Sequence, residues 1–503
     1  MTTAPTDTRA PRDRRTGPAA LRPTASPARR IALGAVTMLA VGVVLLCSTP
    51  VVRFPSWREV VVAAGSAVSL ACVWSLRAEI VAELRRRRLA LTTLSLVAVA
   101  ASCAWSVGAL VTHGRTVDLG VAAVVGVVVL ACHGVHREAT TGPTPVPAWV
   151  VPVALAVAAA TVGVWLAIDA RPARAFAAGV AVVIAACPGA IGLALPAAYR
   201  SGVRRGDALG VVIHDAATLA ASRRVDVVVL DGLGTVASGK RVASVDAFVA
   251  DHERNLRWFA GALEHASAHP VGKAIAKLSA RGRLSGVETH PGLGISGSVD
   301  RHPVRVGRPE WVGIDVTERV GTTVGVEVDA RPLGTITVVD AVRPTAKQAA
   351  ANLRRLNVDP VLVTTANPLT AKDVAEQVGI DRFVAEAGAT STTTLVSELR
   401  DEGRTVAVLA DESLVLDPSA GEDERSTVTL AEGDVAEAVT ALTLARTIDA
   451  QVRTTLRAAA AYTAAAVAVA AVGVLPPMGA ALALAASSLV VLASAMKLRR
   501  FAA

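Results

Sequence analysis

Apolar residues gather in stretches of about twenty toward both ends of the chain, whereas the region between alternates short β-rich runs with amphipathic ones. A helix of ~20 apolar residues matches the hydrocarbon thickness of a bilayer, and a buried helix of a soluble domain is rarely that long. Eight such segments are read, at about 31–51, 58–76, 89–111, 117–135, 148–169, 174–198, 454–474 and 479–496. From 199 to 450 the pattern changes. Runs at 225–230, 335–339, 360–364 and 405–409 are the clearest strands, and the helical stretches between them predict a parallel sheet with crossover helices. The expected fold is an α-helical membrane bundle of about eight spans joined to an α/β domain.

Composition agrees, since 52% of the residues are hydrophobic but only 3% aromatic, above the apolar content of a soluble globular protein. The formal net charge of +9, from 51 Lys and Arg against 42 Asp and Glu, lies largely in the first thirty residues and beside the spans. Arg29, Arg30, Arg85 to Arg88, Arg204, Arg205, Lys497, Arg499 and Arg500 fall on one side of the predicted bundle. By the excess of positive charge on cytoplasmic loops, that side is the cytoplasm, which places 199–450 and both termini there. Topology thus accounts for the charge, and no nucleic-acid partner is expected. Residues 1–30, rich in Arg, Pro, Thr and Ala with no apolar stretch, read as a disordered basic tail and not a cleaved leader. All five cysteines (Cys47, Cys72, Cys103, Cys132, Cys187) lie in or at the ends of apolar spans, so a disulfide framework is not expected.

The run at 225–230 ends in Asp231-Gly232-Leu233-Gly234-Thr235. A carboxylate at the end of a buried strand is placed for phosphoryl chemistry, glycine allows a sharp turn, and Thr235 offers a hydroxyl to a phosphate oxygen. An ordinary strand-to-turn junction fits the pentapeptide equally well. Upstream, a membrane segment carries Cys187-Pro188-Gly189, and proline in a helix frees backbone carbonyls. Downstream come Glu264-His265-Ala266-Ser267-Ala268-His269-Pro270, Gly292-Leu293-Gly294, Gly307 and Asp340-Ala341-Val342-Arg343-Pro344.

This order and spacing, over about residues 31–500, resembles the heavy-metal, copper-type branch of the cation-transporting P-type ATPases. The resemblance implies four spans in 31–135, a short cytoplasmic loop at 136–147, two spans with the Cys-Pro-Gly break in 148–198, and two spans with a short tail in 451–503. It implies a haloacid dehalogenase-like phosphorylation domain at 199–240 and 337–450, interrupted by an α+β nucleotide-binding domain at 241–336. Asp231 would be the phosphorylated residue, with Thr235, Thr364 and Asp411 beside it. Glu264, His269, Gly292, Gly294 and Gly307 would hold ATP, accompanied by Mg2+, and Cys187, Tyr462 and Ser488 would line the path of a soft metal cation.

Several positions depart from that pattern. Gly232 replaces a lysine next to the phosphorylated aspartate, and Thr364-Thr365-Ala366-Asn367 keeps the hydroxyl of TGD without its carboxylate. No lysine occurs in Ala389 to Thr393, and Leu414-Val415 replace the Asn-Asp pair after Asp411, although Asp417 would substitute if the loop is shifted. The family's actuator domain would fall at 136–147, a stretch too short to fold as a domain. Gly189 leaves Cys187 without its second cysteine, and a single cysteine in a membrane span is ordinarily a small core hydrophobe. Cys132, His133 and His136 form a candidate ligand cluster at the membrane boundary, where such residues are usually structural. If each lost electrostatic group costs ~10²–10³ in rate, little turnover survives.

The expected function is therefore an ATP-binding membrane protein of the family, degenerate in catalysis, acting as a regulatory or accessory protein with a partner membrane protein. The alternatives are an active heavy-metal exporter and a membrane phosphatase of the haloacid dehalogenase class. The phosphatase needs a second acid where Leu233 stands.

Overall fold

The structure, a computed structural model, describes residues 55–85, 91–112, 115–138, 149–168, 171–187, 189–213, 216–416 and 426–497. The basic tail, the segment expected to span 31–51, Arg86 to Arg88, Pro188 and Asp417 lie outside the described residues. Two compact units emerge, one from residues up to Arg200 with Gln451–Lys497, the other from Ser201–Ala450.

In the first unit, helices Trp57–Arg85, Leu91–Val111, Val121–Glu138, Val150–Ile168 and Pro477–Met496 coincide with expected spans. Among the described residues five helices are long and apolar enough to cross a membrane. A core of the first unit is built from aliphatics such as Ala98, Val125, Ala181 and Ala481, and small side chains let helices in a bilayer approach closely. Large apolar residues such as Leu70, Ile168 and Leu489 are left exposed, as helices facing lipid require. The span expected at 174–198, with its break at Cys-Pro-Gly, is divided there: helix Pro172–Ala185 ends, and a second runs Gly189–Asp207. Proline at 188 has no N–H for the helical ladder, so a continuous helix would lose a bond there. The span expected at 454–474 belongs to a longer helix, Val435–Ala471.

Among the described residues the second unit contains thirteen strands: β1 Val211–Ile213, β2 Val227–Asp231, β3 Ala237–Ala247, β4 Leu284–His290, β5 Gly294–Val299, β6 His302–Gly307, β7 Thr322–Val328, β8 Arg331–Val342, β9 Asp359–Val363, β10 Arg382–Val384, β11 Val406–Ala410, β12 Ser413–Leu416 and β13 Ser426–Leu430. One sheet has the order β1-β13-β12-β11-β2-β9-β10. Strands β11, β2, β9 and β10 are parallel, and helices Ala346–Arg355, Pro368–Val378 and Ser391–Asp401 follow the crossovers. Burial on both faces explains why β2 reads Val-Val-Val-Leu without alternation. The expected parallel sheet is present in these four strands, and at one edge β12, β13 and β1 pair antiparallel. Two residues between β11 and β12 allow only a hairpin.

The second sheet, β3-β8-β7-β6-β5-β4, is antiparallel throughout. Its core joins Val304, Val306 and Val326 to Leu256, Leu263 and Ile275 of helices Glu253–Glu264 and Pro270–Ile275. Strands β3 and β8 form the ribbon that carries the chain into this sheet and out again.

Candidate functional site

Strand β2 is buried through Leu230 and delivers Asp231, which is exposed, to its carboxyl end. Gly232 has φ +90, a conformation that favours glycine, and its N–H donates to the Val363 carbonyl at 2.8 Å. The chain then turns through Leu233–Thr235. Thr235 is buried and its Oγ1 donates to the Gly232 carbonyl at 2.8 Å, so this hydroxyl braces the turn.

Asp231 lines a cavity of about 1150 Å³ together with Thr364, Thr365, Asn367 and Thr393. Thr364 follows β9, and its Oγ1 accepts the Ala366 N–H at 3.1 Å. The side-chain oxygen of Asn367 accepts the Thr370 N–H at 2.8 Å and caps helix Pro368–Val378. Asp411 does not line the cavity. It occupies the hairpin turn after β11 at φ +50, where aspartate is well tolerated, while Val408 and Val415 reach the cavity instead.

The cavity has one cation that sequence reading missed. Lys240 Nζ lies 2.9 and 3.0 Å from the two carboxylate oxygens of Asp340, and both residues line the cavity. They face each other across β3 and β8, a register invisible until the two strands are paired. Mg2+ ordinarily takes one or two carboxylates together with phosphate and water oxygens. Among the described residues the carboxylates lining this cavity are Asp231 and Asp340, the second already neutralised by Lys240. The fit to Mg2+ is therefore poor on protein carboxylates alone.

All five residues expected to hold the nucleotide line a second cavity, of about 470 Å³. Glu264 ends one helix and His269 starts the next, its Nδ1 accepting the Val271 N–H at 3.3 Å. Gly294 and Gly307 meet across β5 and β6. A Cβ on Gly307 would collide with the Leu293 carbonyl, and one on Gly294 with the Val306 carbonyl, so only glycine allows this close approach. Glu264 is 6% exposed, and its Oε2 has no hydrogen-bond partner. Burial pushes its carboxyl up to about 7, and the nearby Ser267 hydroxyl partly opposes this. A buried acceptor without a donor is costly, and a ligand N–H supplied from the cavity would satisfy it. The donor set and the glycine cradle fit an adenine nucleotide.

The three expected metal-path residues are not all together. Cys187 and Ser488 are buried in the first unit, and Ser488 Oγ would lie 3.5 Å from a Cβ placed on Gly189. Tyr462 is 42% exposed, with its hydroxyl donating to the Ala483 carbonyl at 3.1 Å.

Residues 225–409 match the haloacid dehalogenase-like hydrolase family. The copper-exporting P-type ATPase of Mycobacterium tuberculosis is 35% identical over 378 residues, covering 70% of this chain and 50% of that protein. Its counterpart in Mycobacterium leprae is 34% identical over 381 residues, covering 70% and 49%. The chain thus spans about half the length of the curated relatives it matches. A zinc-transporting PIB-type ATPase solved in its E2.Pi state superposes with a TM-score of 0.71 at 17% identity, covering 94% of this chain and 100% of that one. At that identity the likeness concerns the fold. With apolar helices of spanning length, these matches describe a multi-pass membrane protein. The chain belongs to the heavy-metal P-type ATPase family.

Proposed function

We propose that this protein binds ATP through the cavity at Glu264 and His269 but does not complete a transport cycle, and that it serves as a regulatory or accessory protein beside a partner membrane protein. The observation that carries this reading is the lining of the cavity at Asp231. Among the described residues its single cation, Lys240, is tied to Asp340, and the stretch from Thr364 to Asn367 is neutral. Phosphoryl transfer depends on cations facing the developing charge, and the loss of each such group costs ~10²–10³ in rate. The short stretch at 136–147 supports the same reading, since it leaves no room for a folded domain. We place the protein in the cell membrane with 199–450 and both termini in the cytoplasm, on the distribution of basic residues.

A second reading, an active exporter of a soft metal cation, is favoured by Lys240 itself: released from Asp340, it would supply a positive charge in the cavity of Asp231. The phosphatase reading is weakened by Leu233, which lines the cavity where a second acid is needed. The test uses purified protein in lipid with γ-labelled ATP. Saturable ATP binding without an acid-stable phosphoenzyme is expected. Phosphoenzyme that disappears in Asp231→Asn would establish the exporter, and metal-independent hydrolysis of small phosphate esters would establish the phosphatase.

A further inference from the structure

Arg308 follows directly on the close approach of Gly294 and Gly307 and lines the cavity at Glu264. Its backbone N–H donates to the Leu293 carbonyl at 2.7 Å, which ties it to the turn between Gly292 and Gly294. A following proline holds the residue before it extended, and Arg308 has φ −56 and ψ 137. The side chain therefore starts from a fixed point beside the glycine cradle. It is exposed, and among the described residues its guanidinium makes no hydrogen bond or ion pair. The basic groups around it are engaged. Arg305 pairs with Glu327 and stands over Trp311, 5.4 Å from the ring centroid. His290 Nε2 lies 2.8 Å from Ser296 Oγ, and His269 Nδ1 accepts the Val271 N–H.

We propose that Arg308 holds the first phosphate of a bound adenine nucleotide, so that this cavity accepts AMP and ADP as readily as ATP. Arginine is always charged, and its planar fork of N–H donors matches two phosphate oxygens at once. At the same cavity the orphaned Glu264 Oε2 awaits an N–H, which the amino group of adenine supplies. Base and first phosphate are thus both recognised within one cavity of about 470 Å³, and the cavity of Asp231, where Lys240 is tied to Asp340, is not needed. The second and third phosphates add only charge in solvent, where ion pairs contribute little. The proposal deepens the reading of this cavity as a nucleotide site and rests on it. A site of this kind reports the level of adenine nucleotides and consumes none, which suits a regulatory protein.

The test measures binding of ATP, ADP, AMP and adenosine to the full chain in detergent by isothermal titration calorimetry. The three nucleotides should bind within ~5-fold of one another, since exposed charge pairs add little. Adenosine should bind ~10-fold or more weakly, for want of a charge-assisted hydrogen bond. Arg308→Gln should bring AMP down to the affinity of adenosine and leave adenosine itself unchanged, which also shows that the cavity has kept its shape. Arg308→Lys, with the charge but not the fork, should fall between, and Arg331→Gln, outside the cavity, should match the wild type. AMP binding no tighter than adenosine to the wild-type chain, a comparison that needs no variant to fold, would overturn the role of Arg308 and leave the nucleotide reading standing. So would unchanged AMP affinity in Arg308→Gln, or ATP binding more than ~10-fold tighter than AMP. Failure of every nucleotide to bind the wild-type chain would overturn the nucleotide reading as well.

Discussion

Glu264 shows how one side chain carries both a cost and a use. Its carboxyl is raised from 4.5 to about 7 by burial, so the folded form disfavours the ionised state that the unfolded chain adopts freely. Below pH ~4.5 the group is protonated in both states and costs nothing. As pH climbs from there through about 7 the unfolded chain ionises first and stability is lost, by ~3 kcal/mol at most at 1.36 kcal/mol per unit. Thermal unfolding of Glu264→Gln should lack this decline between pH 5 and 8. ATP acts in the opposite direction. A ligand N–H on the orphaned Oε2 favours the carboxylate, so ATP affinity should rise from pH 6 to 8, and the Gln variant should flatten that profile. Gly307 is a simpler case, because a methyl group there meets the Leu293 carbonyl. Gly307→Ala should destabilise the fold by ~1–3 kcal/mol and abolish ATP binding, measured by fluorescent-analogue titration.

Among the elements, the β3–β8 ribbon links the two sheets, and its one cross-strand ion pair is Lys240–Asp340 with the Asp340 side chain 10% exposed. Removing one partner leaves the other charge nearly buried and alone, whereas removing both does not. Lys240→Met should speed hydrogen exchange along β3 and β8, Asp340→Asn less so, and the double variant should recover part of the loss. Non-recovery would mean that the two side chains act independently. Much of this architecture is legible in the sequence. Continuous apolar runs announce the spans and β2, and the motif spacing anticipates five residues that the fold brings to one cavity. What stays hidden depends on partners far along the chain. The antiparallel edge β12-β13-β1 has no local mark of direction, and the Lys240–Asp340 register joins residues a hundred positions apart. The tight turn at Asp411 is also hidden, since aspartate in a tight turn and aspartate in a metal loop look alike in sequence. At Pro188 the sequence does mark the interruption, and helices end at Ala185 and begin at Gly189 on either side of it.

At the scale of the whole molecule, two compact units carry different chemistries: buried thiols among small aliphatics in one, and the cavities at Asp231 and Glu264 in the other. On the proposed reading these chemistries are not linked by a phosphorylated intermediate, because Lys240 in the cavity of Asp231 is tied to Asp340. The most direct measurement is steady-state ATP hydrolysis by the protein in liposomes, with and without Cu(I) or Ag(I), beside Asp231→Asn. The account predicts bound ATP, no hydrolysis above background, and no difference between wild type and Asp231→Asn. Cation-stimulated hydrolysis at ~1 per second or faster that vanishes in Asp231→Asn would contradict it.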